Sequence, residues 1–346
     1  MYHTYLTIII PSLIAFFVTV VATLFVISYM REAGVTVTDH NKRRKKELPG
    51  GGGIALAFGF TIGLLAYAFG SSFNLYVSVA SLVDLFAVIS SVLLITLVGF
   101  LDELVLKGKL VLTRDRKDTK KGLKQWQRPL LTVIGAVPLV AINAGVSVID
   151  VPFLGLVSFG LFYPLIIVPI AVIFVSNAFN LVGGFDGIAG GSALILSFAM
   201  LLYSIIFGTY LGTLLSGVLF ASTLAFLAFS IYPAKILPGD SFTYGFGAAL
   251  LSIMVLGNME AFGVIIFLPW LIEFFLHLRK KFKVTDLGIR REDGTFEAPY
   301  GKRIYSWTHV FMNMGRLKEW QISACMWLVD ALFVVLAFGL KFAALL

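Results

Sequence analysis

The sequence predicts an all-α, polytopic membrane protein of about ten transmembrane helices with both termini outside. Three observations carry that expectation. Hydrophobic residues fill 59% of the 346 positions and charged residues only 13%, which excludes a soluble domain. Apolar runs repeatedly reach the roughly 20 residues that cross about 30 Å of hydrocarbon. Of the 27 Lys and Arg, every one except Lys341 falls on a single side when loops alternate across ten spans. By the positive-inside rule that side is cytoplasmic.

The spans are read at 4–29, 52–70, 82–101, 129–147, 159–181, 188–207, 212–231, 242–257, 261–278 and 321–344. Each is an apolar run bounded by polar or turn-forming residues. The first is too long for a signal-peptide core and no cationic segment precedes it, so it reads as a retained span. The second opens on four glycines after Pro49, the third closes on Asp102 and Glu103, and the fourth follows Arg128. The fifth ends around Asn177 and Asn180, and the sixth begins just beyond Asp186. Pro233 follows the seventh, Asp240 precedes the eighth, and Glu273, Phe274 and His277 lie near the end of the ninth. The tenth holds Cys325, the sole cysteine, which excludes an internal disulfide and a cysteine-based metal cluster. Cytoplasmic loops are expected at about 30–51, 102–128, 182–187, 232–241 and 279–320, and residues 1–346 read as a single integral membrane domain. The cytoplasmic face carries a basic excess, which favours anionic substrates such as phosphates.

Polar residues collect in islands on that face. The most informative is NAFNLVGGFDGIAGG at 177–191. Asn177 and Asn180 share one helix face, and the glycines after them let backbone approach a ligand closely. A seam of small residues for helix packing explains the glycines, but neither the amides nor Asp186. A second island, NKRRKKELPGGGG at 41–53, sets five consecutive cations ahead of Pro49. The cations also suit a topology anchor, whereas the glycines, Gly52 among them, suit amides cradling a nucleotide or phosphate.

A third island runs from GFLDELVLKGK at 99–109 through a basic loop to LKQWQRPL at 123–130. Asp102 and Glu103 there suit a metal or a general base, with solvated helix-end acids as the plain alternative. Arg128 can reach the same layer. In the fourth, IYPAKILPGDSFTYGFGAAL at 231–250, Pro233, Pro238 and Gly239 break the chain so that Asp240 sits at a helix N-terminus. There it serves as an N-cap or as a hard oxygen ligand, sharing an octahedral magnesium shell with the Asn180 amide oxygen and substrate phosphates. In the last loop, Glu273, Phe274 and His277 offer aromatic and acidic contacts to a base, and Lys281 and Lys283 offer cations to phosphate.

Taken in order, these islands resemble the polyprenyl-phosphate N-acetylhexosamine-1-phosphate transferase superfamily over nearly the whole chain. GDSFTY at 239–244, GTFEAPYGKR at 294–303 and NAFN tilt the resemblance toward the archaeal and eukaryotic UDP-GlcNAc:dolichyl-phosphate GlcNAc-1-phosphate transferases. The resemblance implies an Mg2+-dependent enzyme, with Mn2+ as an alternative, that moves a sugar phosphate from a UDP-sugar to a membrane polyprenyl or dolichyl phosphate and releases UMP. It implies metal ligands Asn180 and Asp240 and catalytic residues Asp102, Glu103 and Arg128. It also implies substrate contacts at Gly52, Asn177, Gly184, Asp186, Phe274, Lys281 and Lys283, with Phe274 and Asp186 near uracil and the lysines near phosphate.

The chain departs from the family pattern in several places. Bacterial members follow the NAFN-like motif with two aspartates; here Gly183 holds the first position and only Asp186 remains, which argues against a muramyl-peptide substrate. The bacterial histidine triplet of the last cytoplasmic loop is absent, and KFK at 281–283 is the best match to the eukaryotic Arg-His-Arg. The usual aspartate pair is Asp102 followed by Glu103, and Arg128 stands where a lysine is usual, unless that lysine is Lys124. Arginine keeps the cation and forks onto phosphate but cannot shed its charge.

The expected partners are a UDP-N-acetylhexosamine, a polyprenyl or dolichyl phosphate and the lipid bilayer, with a homodimer as an option and no nucleic acid. The expected location is the plasma membrane of a prokaryote, an archaeon being favoured, or the endoplasmic reticulum of a eukaryote, with the active site cytoplasmic. N-glycosylation is implied only by the branch of the family. One rival reading is a ten-span transporter or flippase for an anionic solute, which calls for polar residues near the midplane and often an inverted repeat; Asp330 is the residue that suits it better. Another rival is a related transferase that uses a different UDP-sugar.

Overall fold

The computed structural model describes residues 2–43, 46–76, 79–105, 126–145, 148–151 and 155–345. Arg44 and Lys45 of the basic cluster lie outside the described residues, as does most of the basic loop after the third predicted span, including Lys124.

Helix dominates because a chain in hydrocarbon must satisfy its backbone groups within each segment. α1 (Tyr2–Glu32) leads into a hairpin in which β1 (Thr36–Asp39) pairs antiparallel with β2 (Lys46–Pro49). The chain then forms α2 (Gly52–Ser72) and α3 (Leu82–Val105). α4 (Gln127–Thr132) and α5 (Val137–Ala141) are joined by a 3-10 turn, and β3 (Val148–Val151) pairs with β4 (Gly155–Ser158). After a π-turn at Tyr163–Ile167 come α6 (Val168–Phe179), α7 (Ile188–Ile206), α8 (Tyr210–Ser230), α9 (Gly239–Leu256), α10 (Glu260–Ile266) and α11 (Leu268–Leu278). The last loop forms a small sheet of β5 (Ile289–Arg290), β6 (Thr295–Glu297) and β7 (Leu317–Lys318), together with α12 (Trp307–Met314), before α13 (Glu319–Phe342) closes the chain. The all-α expectation therefore needs a correction: short strands occur in the connections. Segments of two to four residues carry too little periodicity to register against long apolar runs.

Seven helices among the described residues, α1, α2, α3, α7, α8, α9 and α13, are long and apolar enough to cross a membrane. α10 and α11 form an eighth candidate, bent by 55°. The predicted fourth and fifth spans coincide with shorter apolar segments, Gln127–Ala141 and Tyr163–Phe179. Phe17, Val21 and Phe25 of α1 and Leu328, Leu332 and Val335 of α13 are exposed. At that spacing they form lipid-facing stripes.

α9 is the central element, with every residue from Asp240 to Val255 buried. Small residues bring its neighbours close. A Cβ on Gly53 of α2 would lie 2.0 Å from Phe242 N, one on Gly99 of α3 2.5 Å from Asp240 O, and one on Gly247 of α9 2.6 Å from Ser176 Cα in α6. This contact pulls the start of α2 and the ends of α3 and α6 around α9. Asp330, which suited a transporter, is buried in α13 and accepts the Ser192 hydroxyl of α7 at 2.6 Å. It acts there as a polar contact between membrane helices.

Candidate active site

Two buried carboxylates and a guanidinium meet where α3, α4 and α9 converge. Arg128 Nε lies 2.9 Å from Asp102 Oδ2 and a terminal nitrogen lies 3.9 Å from Asp240 Oδ2. Asp102 has no exposed surface and Asp240 is almost as deeply buried, so these charges are held in place rather than solvated. Asn180 caps the C-terminus of α6, and its Oδ1 accepts the Thr243 hydroxyl at 2.9 Å. Thr243 Oγ1 also sits 3.2 Å from Asp240 O, so one side chain ties Asn180 to the Asp240 turn. The Tyr244 hydroxyl is buried within electrostatic reach of Asp240, Arg128 and Asp102. Four of the predicted residues, Asp102, Arg128, Asn180 and Asp240, thus belong to one constellation.

Glu103 behaves differently from its neighbour. Its Oε2 accepts Gly51 N–H at 2.7 Å and its Oε1 accepts Ser241 N–H at 2.6 Å. Gly51 (φ 76) and Gly239 (φ 73) are left-handed, a conformation glycine adopts without strain. Glu103 therefore clasps the chain reversals that open α2 and α9. Gly52 is also explained by packing: a Cβ there would meet the Phe226 ring at 2.6 Å and Leu237 O at 2.8 Å. Asn177 points its amide at Thr132 Oγ1 (3.1 Å) and Ile173 O (2.8 Å), linking α6 to α4.

Asp186 and Gly184 lie in a second constellation. Asp186 Oδ2 accepts from Lys42 Nζ at 2.7 Å and from Ala234 N–H at 2.9 Å, while its own N–H donates to Glu319 Oε1 at 3.1 Å. Lys42 also reaches Glu319 Oε2 at 2.5 Å and Asp39 Oδ2 at 3.3 Å. Burial works to lower the Lys42 pKa, but the hydrogen bonds and charges of Asp186 and Glu319 outweigh it and leave it raised. Asn41 Nδ2 donates to Gly184 O at 2.5 Å. The hairpin, the motif loop, the turn before α9 and the start of α13 are joined here.

Near the end of α11, Phe274 is half-buried, with ring centroids 5.2 Å from Phe174 and 5.2 Å from Phe282. Phe282 sits between Lys281 and Lys283, which are both exposed. Glu273 and His277 turn inward: Glu273 Oε2 accepts Trp307 N–H at 2.8 Å and Oε1 lies 3.0 Å from His277 Nε2. They fasten α11 to α12.

Sequence reasoning assigned no role to Thr243, Tyr244, Glu319 or Asp286 and read Lys42 only as part of a topology anchor. Tyr244 carried a usable signal, because a residue four positions after Asp240 on a helix shares its face. Lys42 and Glu319 carried none, since their pairing is made across most of the chain.

Residues 85–258 match Glycosyl transferase family 4. Over 335 residues, 96% of each chain, this protein is 35% identical to a Saccharolobus solfataricus protein provisionally named UDP-N-acetylglucosamine–dolichyl-phosphate N-acetylglucosaminephosphotransferase. The chain belongs to glycosyl transferase family 4. A Sulfolobus acidocaldarius relative with the same name is 30% identical over 334 residues, 96% of this chain and 95% of its own. A Lactiplantibacillus plantarum phospho-N-acetylmuramoyl-pentapeptide-transferase is 30% identical over 224 residues, 63% of this chain and 65% of its own. The stretch matching glycosyl transferase family 4 encloses Asp102, Arg128, Asn180 and Asp240, but neither Lys42 nor the last loop.

Proposed function

We propose that this protein transfers GlcNAc-1-phosphate from UDP-GlcNAc to dolichyl phosphate, forming a lipid diphosphate sugar and UMP as a membrane step of glycan assembly such as N-glycosylation. The observation that carries the reading is the buried Asp102–Arg128–Asp240 line beside the Asn180 amide, in a chain of this family. An oxygen of the lipid phosphate attacks the sugar-bearing phosphorus, and the bond from that phosphorus to the UMP oxygen breaks, with UMP keeping the electron pair. A phosphate monoester has a second pKa of about 6, so at neutral pH it is largely a dianion and already nucleophilic. The protein must then position the reactants and neutralise charge. Arg128 supplies a fixed cation. Asp102, held against Arg128 Nε, orients that guanidinium, and no further base is required. Phe274 and Asp186 would lie toward uracil, with Lys281 and Lys283 toward phosphate.

Magnesium takes oxygen ligands, commonly one or two carboxylates with substrate phosphates. Asn180 and Asp240 fit that pattern, being linked through Thr243, and the described residues hold no competing cluster of three His, Cys, Asp or Glu. These two would hold the ion, which would supply charge neutralisation on the phosphates. We further infer ten spans with both termini outside and the site on the cytoplasmic face of an archaeal plasma membrane. The charge asymmetry and the two archaeal relatives support this.

The test is to incubate purified protein with magnesium, a short dolichyl phosphate and a panel of UDP-sugars, and to quantify UMP and lipid product by mass spectrometry. UMP with lipid diphosphate GlcNAc, lost on EDTA treatment, is the expected result. Folded protein that releases no UMP from any sugar and carrier sinks the reading.

A further inference from the structure

Gly183 and Gly184 donate their backbone N–H groups to one oxygen, Asp286 Oδ2, at 3.1 and 2.8 Å. Two successive amides converging on one point form an anion-binding nest, and here the anion is a side chain from the last cytoplasmic loop. Asp286 is itself held from behind by α12. Thr308 Oγ1 donates to Asp286 O at 2.7 Å. His309 Nδ1 accepts Tyr305 N–H at 3.1 Å, which leaves Nε2 protonated to donate to Thr285 O at 2.9 Å. The loop thus presses a fixed carboxylate onto the motif loop between Asn180 and Asp186.

Lys283 precedes Asp286 by three residues and Lys281 by five. Three residues of chain reach at most about 10 Å, so the Asp286 anchor bounds where these exposed cations sit relative to Gly184. We propose that Asp286 is a positioning residue for the nucleotide diphosphate: by docking on Gly183 and Gly184 it sets the Lys281–Lys283 turn over the motif loop, where the pyrophosphate of the sugar nucleotide lies. The proposal rests on the transferase reading above. It concerns the soluble substrate and leaves the lipid phosphate unaffected.

The glycines supply an internal control. A Cβ on Gly184 would meet Leu287 Cδ2 at 2.6 Å and Asp286 Oδ2 at 2.8 Å, whereas one on Gly183 meets nothing within 4 Å. Steady-state kinetics of the full chain with UDP-GlcNAc and dolichyl phosphate make the test. Asp286→Ala is expected to raise KM for UDP-GlcNAc about tenfold, the loss of one charge-assisted anchor, with kcat and KM for dolichyl phosphate within about twofold. Asp286→Asn keeps an oxygen for both amides and is expected to recover most of the loss. Gly184→Ala should reproduce the defect and Gly183→Ala should not. An unchanged KM for UDP-GlcNAc in Asp286→Ala, or an equal rise in both KM values, overturns the proposal. If Asp286→Ala does not fold, Gly184→Ala against Gly183→Ala decides. If the wild type releases no UMP, the transferase reading fails; calorimetry with UDP still tests the anchor, and equal UDP binding by wild type and Asp286→Ala refutes it.

Discussion

Arg128 and Asp102 form an ion pair 2.9 Å long in which the carboxylate is fully buried. The same guanidinium extends to Asp240 at 3.9 Å. Arg128 therefore spans two acids on two helices, which uses its planar fork.

Lysine at this position has one ammonium and cannot reproduce that fork. Arg128→Lys is expected to lower kcat about tenfold and Arg128→Ala about 100-fold or more, with the folded yield of the lysine variant unchanged. Single-turnover assays of UMP release check this. Wild-type kcat in Arg128→Lys would show that charge alone is needed there.

Glu103 accepts two backbone amides, so replacing one oxygen with an NH2 group turns a donor toward a donor. Glu103→Gln is expected to lose about 1–3 kcal/mol of stability, read as a lower Tm in detergent, while the pH profile of kcat keeps its shape. Were Glu103 the base, the variant would instead lose turnover at unchanged Tm.

Among the described residues, Lys42 is the cation set against Asp39, Asp186 and Glu319. Removing it leaves carboxylates facing one another in a buried site, so Lys42→Ala is expected to cost about 3 kcal/mol or more. Lys42→Ala combined with Glu319→Gln removes one of those charges and should recover part of the loss. A double-mutant cycle on Tm measures this; strict additivity would deny the coupling.

Burial, and to a smaller degree the nearby His277, lower the pKa of His309, against the Thr285 carbonyl and the Asp286 charge, which raise it. A depressed histidine pKa means that the unfolded chain binds more protons. The contribution to stability is full above the ordinary imidazole range, about 6.5, and is lost as pH falls through the folded value. Protonating Nδ1 would also set a donor against Tyr305 N–H. Thermal unfolding from pH 8 to pH 5 should show Tm falling on the acid side, with a smaller fall in His309→Gln; parallel curves would remove His309 as a source.

Hydropathy and charge are local properties, and most of the membrane architecture was legible from them. The eight predicted spans that are long enough as helices, counting the bent α10–α11 pair, coincide with long apolar runs. The polar islands were also legible, because a carboxylate or amide in such a chain stands out wherever it lies. The two backbone contacts of Glu103 were not legible. Nothing in the pair Asp102–Glu103 says that one acid faces a guanidinium and the other two amide hydrogens. The packing of Gly52 was hidden for a similar reason: a glycine at a ligand and a glycine under a phenylalanine ring look alike until the ring is placed.

The sequence by itself determined that the chain enters a membrane, where its apolar helices run and on which ends its reactive groups collect, since burial of apolar side chains and exclusion of charge from hydrocarbon act residue by residue. Only the tertiary structure decided which groups meet. α9, buried from Asp240 to Val255 and approached closely at Gly53, Gly99 and Gly247, draws Asp102, Arg128 and Asn180 around Asp240. Lys42, Asp186 and Glu319, and likewise Gly184 and Asp286, become neighbours across more than 100 residues of chain. Such pairings depend on the distances and directions that packing imposes, and these no local pattern of residues encodes.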